Sequence, residues 1–167
     1  MEKLILDIEE RLRAEVPELE TVDENYGQLV KMFEEGREND TYPVMSPAVL
    51  IDTQSVAWSN LAGSTQQGTV TVVVTLAIDC YDDTHATTEQ RAKIAERMRL
   101  ASRVHWALQG WKPSETTKMI RTATRMYHLP HLWKAYETTY TCVVLDMSKP
   151  EATTATTDGV LPLSVYD

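Results

Sequence analysis

The sequence is short of the residues on which most catalytic and export machinery depends. It has two cysteines, Cys80 and Cys142, far apart and each set in an apolar stretch, so a secreted disulfide framework is not indicated and both read as buried thiols. Six scattered glycines form no phosphate-cradling loop, and no Gly-x-Ser-x-Gly elbow occurs. Net charge is -9 and the pI near 4.9, so the positive surface that a phosphate-contacting nucleic-acid binder needs is missing overall. The strongest apolar run, Val70 to Ile78, is broken by Thr71 and Thr75 and is too short to cross a bilayer as a helix. The opening Met1-Glu2-Lys3 leads into an acidic amphipathic segment with neither a basic nor an apolar leader region, so a soluble protein made in a reducing cytoplasm is expected.

The 167 residues, 43% of them hydrophobic, suffice for one domain with a real core. Charge is segregated along them. Residues 1–40 hold 13 acidic and 5 basic side chains, a balance of -8, while residues 91–134 hold 10 basic and 2 acidic, a balance of +8. Two readings are open: compensating faces within one subunit, or complementary patches between identical subunits.

Leu4, Ile8, Leu12 and Val16 recur every four residues between charges and predict an amphipathic helix that Pro17 ends. The stretch from Glu18 to Asp40 is acidic and mixed, and its apolar Tyr26, Leu29, Val30, Met32 and Phe33 read as a short strand or a turn. Ala48 to Trp58 reads as a strand, Ser59 to Ser64 as a turn, and Thr69 to Tyr81 as a second strand. In that second strand Val70, Val72, Val74, Leu76, Ile78 and Cys80 fall on one face, which predicts a hairpin with one buried side. Asp82 to Ala86 is a loop, and Thr87 with Gln90 has the form of a capping box. The helix after it is expected to bury Ile94, Met98, Ala101, Val104 and Leu108 and to expose Arg91, Lys93, Arg97, Arg99 and Arg103, with Gly110 closing it. Further strands are expected over Thr117 to Tyr127 and Trp133 to Leu145. The expected fold is α+β: an antiparallel sheet of about four strands with two helices on one face, in a single domain over residues 1–146. Residues 147–167 form a Thr-rich tail. Its apolar end, with Leu161, Leu163, Val165 and Tyr166, reads either as disordered or as an arm docking on another subunit.

Candidate chemistry is sparse. His128 and His131 have a metal-compatible spacing, but Pro130 breaks any helix between them and no further ligand is near, so no metal is expected. His105 reads as a satisfied helix residue and His85 as an exposed loop residue. Neither cysteine has a basic neighbour that would activate it. The chain is therefore expected to be no enzyme and to hold no cofactor. Two binding readings stay open: the basic helix with Arg121, Arg125 and Tyr127 as a surface for nucleic acid or an acidic protein, and Trp58, Trp106, Trp111 and Trp133 as the lining of a small-molecule or peptide pocket.

The order helix, hairpin, long helix, strand, with Tyr42-Pro43-Val44-Met45-Ser46-Pro47-Ala48-Val49-Leu50-Ile51-Asp52 and Tyr136-Glu137-Thr138-Thr139-Tyr140-Thr141-Cys142-Val143-Val144-Leu145-Asp146, resembles the tail terminator and tail-completion family of long-tailed bacteriophages. The resemblance is one of architecture over residues 1–146. It implies a structural virion protein that assembles in the host bacterial cytoplasm and forms a ring, by analogy a hexamer, in the tail or neck. That ring would cap the tail tube protein and join the head–tail connector or stopper protein, with DNA passing through unbound and no membrane involved. Other head–tail neck adaptors share the outline. Under this reading Glu34, Glu35 and Glu38 of one subunit face Arg97, Arg121 or Arg125 of its neighbour, and a projecting turn with Asn60, Gly63, Gln66 and Gln67 contacts the tube.

Overall fold

The computed structural model describes residues 2–33, 44–62, 65–81 and 89–147. Helix α1 (Glu2–Glu15) leads to strand β1 (Thr21–Glu24) and a short helix α2 (Gln28–Phe33). The hairpin of β2 (Ala48–Ala62) and β3 (Thr65–Asp79) follows, then α3 (Glu89–Leu108) and a second hairpin of β4 (Ile120–Leu129) and β5 (Trp133–Met147). One five-stranded sheet has the order β1-β2-β3-β5-β4, with β1 parallel to β2 and every other pair antiparallel. The expected α+β architecture holds, with a short fifth strand drawn from the acidic segment and a short third helix where Leu29, Val30, Met32 and Phe33 were expected as a strand or turn, because one side of that helix packs on the second face of the sheet.

Helix α1 forms because Leu4, Ile8 and Leu12 make one apolar stripe while Glu9–Arg13 (2.8 Å) and Arg11–Glu15 (2.7 Å) bridge successive turns on its polar side. The stripe is buried against the face of the sheet formed by Val49, Ile51, Val70, Val72, Val74, Leu76, Tyr136, Tyr140 and Cys142. Helix α3 joins α1 on this face. Arg103 ties the two together, donating to the Glu15 carbonyl (2.9 Å) and pairing with Glu18. Gly110, at φ +73°, lets the chain leave α3 in the left-handed conformation, and its N–H donates to the Met119 carbonyl (2.8 Å).

The sequence places Ala101, Val104 and Leu108 of α3 in the core correctly and misplaces the rotation of its first half. Ile94 and Met98, expected in the core, are 46% and 41% exposed, and the packed positions are Leu100, Ala101, Val104, Ala107 and Leu108. Only the C-terminal part of the helix lies closely on the sheet. The rotation turns Lys93 and Arg97, expected on the outer face, toward a cleft lined also by Pro47, Ile78, Asp79 and Glu96.

The β2–β3 hairpin is also not one-sided. Helix α2 covers the opposite face at one end, where Leu29, Val44, Ala48, Leu50 and Ala77 form a second small core flanked by Met32, Phe33, Leu129 and Trp133. Hence Thr75 and Ala77, on the side expected to face solvent, are buried. The loop Asp82 to Ala86, the Thr87–Gln90 capping box and the tail from Ser148 lie outside the described residues or side chains.

Candidate assembly surfaces

Strand order decides what each edge presents. β4 pairs only with β5, and its other edge is open, with nearly all its side chains exposed. Arg121, opposite Tyr140, and Arg125, opposite Glu137, lie on the two different faces of β4, because a bulge between Arg121 and Ala123 shifts the register. The Arg125 guanidinium donates to Glu137 Oε2 (3.0 Å) and lies 4.7 Å from the Tyr127 ring centre, and this hydrogen bond and charge pair hold Arg125 above its ordinary pKa. Burial, followed by the Glu137 carboxylate, pushes the Tyr127 phenol up as well. Arg121 has no carboxylate within ion-pair distance among the described residues; its backbone N–H donates to Gln109 Oε1 (3.0 Å).

Behind β4 lies the most buried polar contact of the main core. Tyr140 is fully buried, and its hydroxyl lies 3.0 Å from His105 Nδ1, with the rings stacked. Burial raises the Tyr140 pKa, so the phenol stays protonated. Burial, and then the positive charge of Arg121, lowers the pKa of His105. The neutral pair is a structural tie between α3 and β5. Cys142, buried on the same strand face, has its thiol pKa raised by burial, which suits the inert core thiol expected of it.

The opposite edge belongs to β1 and is acidic, with Glu20 and Glu24 exposed and Asp23 partly so. None of the three has a cation within ion-pair distance among the described residues. Arg13, which adjoins β1, is already paired with Glu9 and donates to the Val22 carbonyl (2.6 Å).

A third surface is the hairpin tip. Asn60 pairs with Gln66 and Ser59 with Gln67 within the ladder, and Gln66 Nε2 donates to Asn60 Oδ1 (3.0 Å). Asn60, Gln66 and Gln67 are therefore strand residues, a correction to the turn expected there, because the β2–β3 pairing runs on to Ala62 and Thr65 and β5 pairs alongside as far as Gln66 and Thr65. The tip exposes Trp58, Leu61 and Leu145. A fourth surface is the ridge of Ile94, Met98 and Trp106 on α3, spaced by four and eight residues, with Trp106 70% exposed.

Of the site residues expected from sequence, Arg121 and Arg125 share strand β4 but lie on its opposite faces, whereas Arg97 lines the cleft between α3 and the end of β3. Glu34, Glu35, Glu38, Gly63, Leu161, Leu163, Val165 and Tyr166 lie outside the described residues. The four tryptophans line no common pocket. Trp58 sits over Gly68 at the tip, Trp106 is on the outer ridge, Trp111 packs on the main core beside Arg11, and Trp133 packs on the second core against Phe33. His128 is the penultimate residue of β4, and His131, at φ +55° in the following turn, stacks on Phe33; no group of three or more metal-ligating side chains occurs among the described residues. The β1 edge was missed by sequence reasoning, since four residues with a single buried valine give too short a period to recognise.

No family model matches the chain, and no curated protein matches it. Among solved structures it is similar to a chain of the virion of a native gene transfer agent particle, with a TM-score of 0.55 and 12% identity over 87% of this chain and 96% of that one. The likeness is one of fold. No helix of the described residues is long and apolar enough to cross a membrane.

Proposed function

We propose that this chain is a structural component of a phage-like virion and that it acts at the head–tail junction as the ring-forming subunit that terminates the tail tube. The observation that carries the reading is the fold likeness to a virion chain over nearly the whole length of both. The open edges, exposed tip and apolar ridge support it, because such surfaces belong to a subunit that is completed by neighbours. In this reading its neighbours are further copies of itself, the tail tube protein and the connector or stopper protein, and DNA passes through without specific contact. Assembly takes place in the host bacterial cytoplasm, the ring is a hexamer, and the chain's work lies in its surfaces, with no catalysis assigned. The exposure of Trp58, Leu61 and Leu145 at the tip supports reading it as the surface that meets the tube.

The test is to assemble phage-like particles with and without the chain and to locate it by gold-labelled antibody in electron micrographs. Label at the junction of tube and head, with tubes of uncontrolled length or headless tails when the chain is withheld, is the expected result. Label elsewhere in the neck would make it a different head–tail adaptor. Normal particles in its absence, with no label on them, would end the virion reading.

A further inference from the structure

The two free edges of the sheet carry opposite charge. Residues 18–28, which contain β1, hold four acidic side chains and no basic one, a balance of -4. Residues 118–134, which contain β4, hold four basic side chains and no acidic one, a balance of +4. They lie at opposite ends of the order β1-β2-β3-β5-β4, so within one chain they do not meet.

We propose that the β4 edge of one copy docks on the β1 edge of the next, with Arg121 and Arg125, on the two faces of β4, meeting the acidic rim of Glu20, Asp23 and Glu24, so that identical subunits join head to tail through the rims of their sheets. This deepens the ring reading above and rests on it. Strand direction supports the contact. β1 and β2 run together and each later neighbour reverses, so β4 runs opposite to β1. Copies placed side by side with strands aligned therefore bring β4 and β1 together antiparallel, in contact through side chains rather than a ladder, because the outward Val22 carbonyl and the Glu24 N–H and carbonyl are already bonded to Arg13, Asp23 and Gln28. Exposed Ile120 and Met126 on one edge, and Tyr26 and Val30 beside the other, supply apolar contact around the charges. Arg125 keeps donors to offer, since Glu137 occupies only part of its guanidinium. A two-fold pairing of β4 with β4 would set Arg121 and Arg125 against their own copies and is disfavoured by like charge, and β1 with β1 fails for the same reason. One contact repeated between unlike patches closes into a ring when its rotation allows.

The experiment is a charge swap read by analytical ultracentrifugation up to about 1 mM chain, the weakest affinity of interest. The first variant carries Arg121→Glu and Arg125→Glu, the second Glu20→Lys and Glu24→Lys, and Arg121→Glu alone guards against disturbing the Arg125–Glu137 pair. Each variant alone is expected to associate at least ten-fold more weakly than wild type. A mixture of the two, in which each junction again pairs opposite charges, is expected to recover wild-type assembly, and so is one chain carrying all four changes. Recovery also shows that the variants are folded. Wild type that stays monomeric throughout, variants that assemble unchanged, or a mixture that fails to recover overturns the contact. So does a first variant that keeps its self-association but loses affinity for duplex DNA, which would give the basic edge to nucleic acid. Unchanged rings in the variants would leave the virion reading standing, whereas a successful swap with no incorporation into particles would leave the edge contact standing without it.

Discussion

His105 shows how a single side chain is set by its surroundings. Its Nδ1 faces the buried Tyr140 hydroxyl at 3.0 Å, and burial with nearby Arg121 disfavours the imidazolium. The folded chain therefore has a His105 pKa below the ordinary value of 6.5. In the unfolded chain the imidazole takes up its proton first as pH falls. The contribution to stability is thus full above 6.5 and is lost as pH falls from there through the folded value. Denaturant midpoints measured between about pH 5 and pH 8 should fall on the acid side, and His105→Gln, which keeps a hydrogen-bonding group near Tyr140, should flatten that slope. An equal slope in the variant would assign the acid loss to other groups.

At the scale of elements, the periodic segments are legible and the short ones are not. The four-residue spacing of Leu4, Ile8 and Leu12 places α1, and the alternation of Val70, Val72 and Val74 places β3, because each period matches one geometry. α3 is legible as a helix but not in the rotation of its first half: apolar Ile94 and Met98 mimic a core stripe while remaining exposed. β1 and α2, of four and six residues, gain their order from β2 and from the second core rather than from local pattern. The β2–β3 hairpin depends on Gly68, where a Cβ would stand 2.8 Å from Val56 Cγ1 and from Trp58 Cζ3. Gly68→Ala should therefore destabilise the fold by about 1–3 kcal/mol in equilibrium unfolding. A variant indistinguishable from wild type would mean that the Trp58 ring moves aside freely.

At the scale of the whole molecule, the acidic and basic segments of the chain meet where α1 packs on α3, through Arg103 and Glu18, and part at the rims of the sheet, with β1 at one edge and β4 at the other. Contacts between exposed charges weaken with ionic strength, since screening acts within ~8 Å at physiological salt. Self-association of the wild-type chain should therefore weaken as salt rises from about 0.05 M to about 0.5 M. Association that strengthens with salt instead would point to the apolar tip and the α3 ridge as the main contacts.

The sequence alone determined the types of the long elements, the α+β class, the buried α1 stripe, the core thiol Cys142 and the imbalance of charge between its first and third quarters. All of these follow from local period and composition, which one segment carries by itself. Only the tertiary structure decided that β5 lies between β3 and β4, that α2 covers the second face, that Arg97 stands apart from Arg121 and Arg125, and that acidic and basic residues end on opposite rims. Those outcomes depend on pairing between segments far apart in the chain, where the burial of each face against its partners, rather than any local pattern, selects the arrangement.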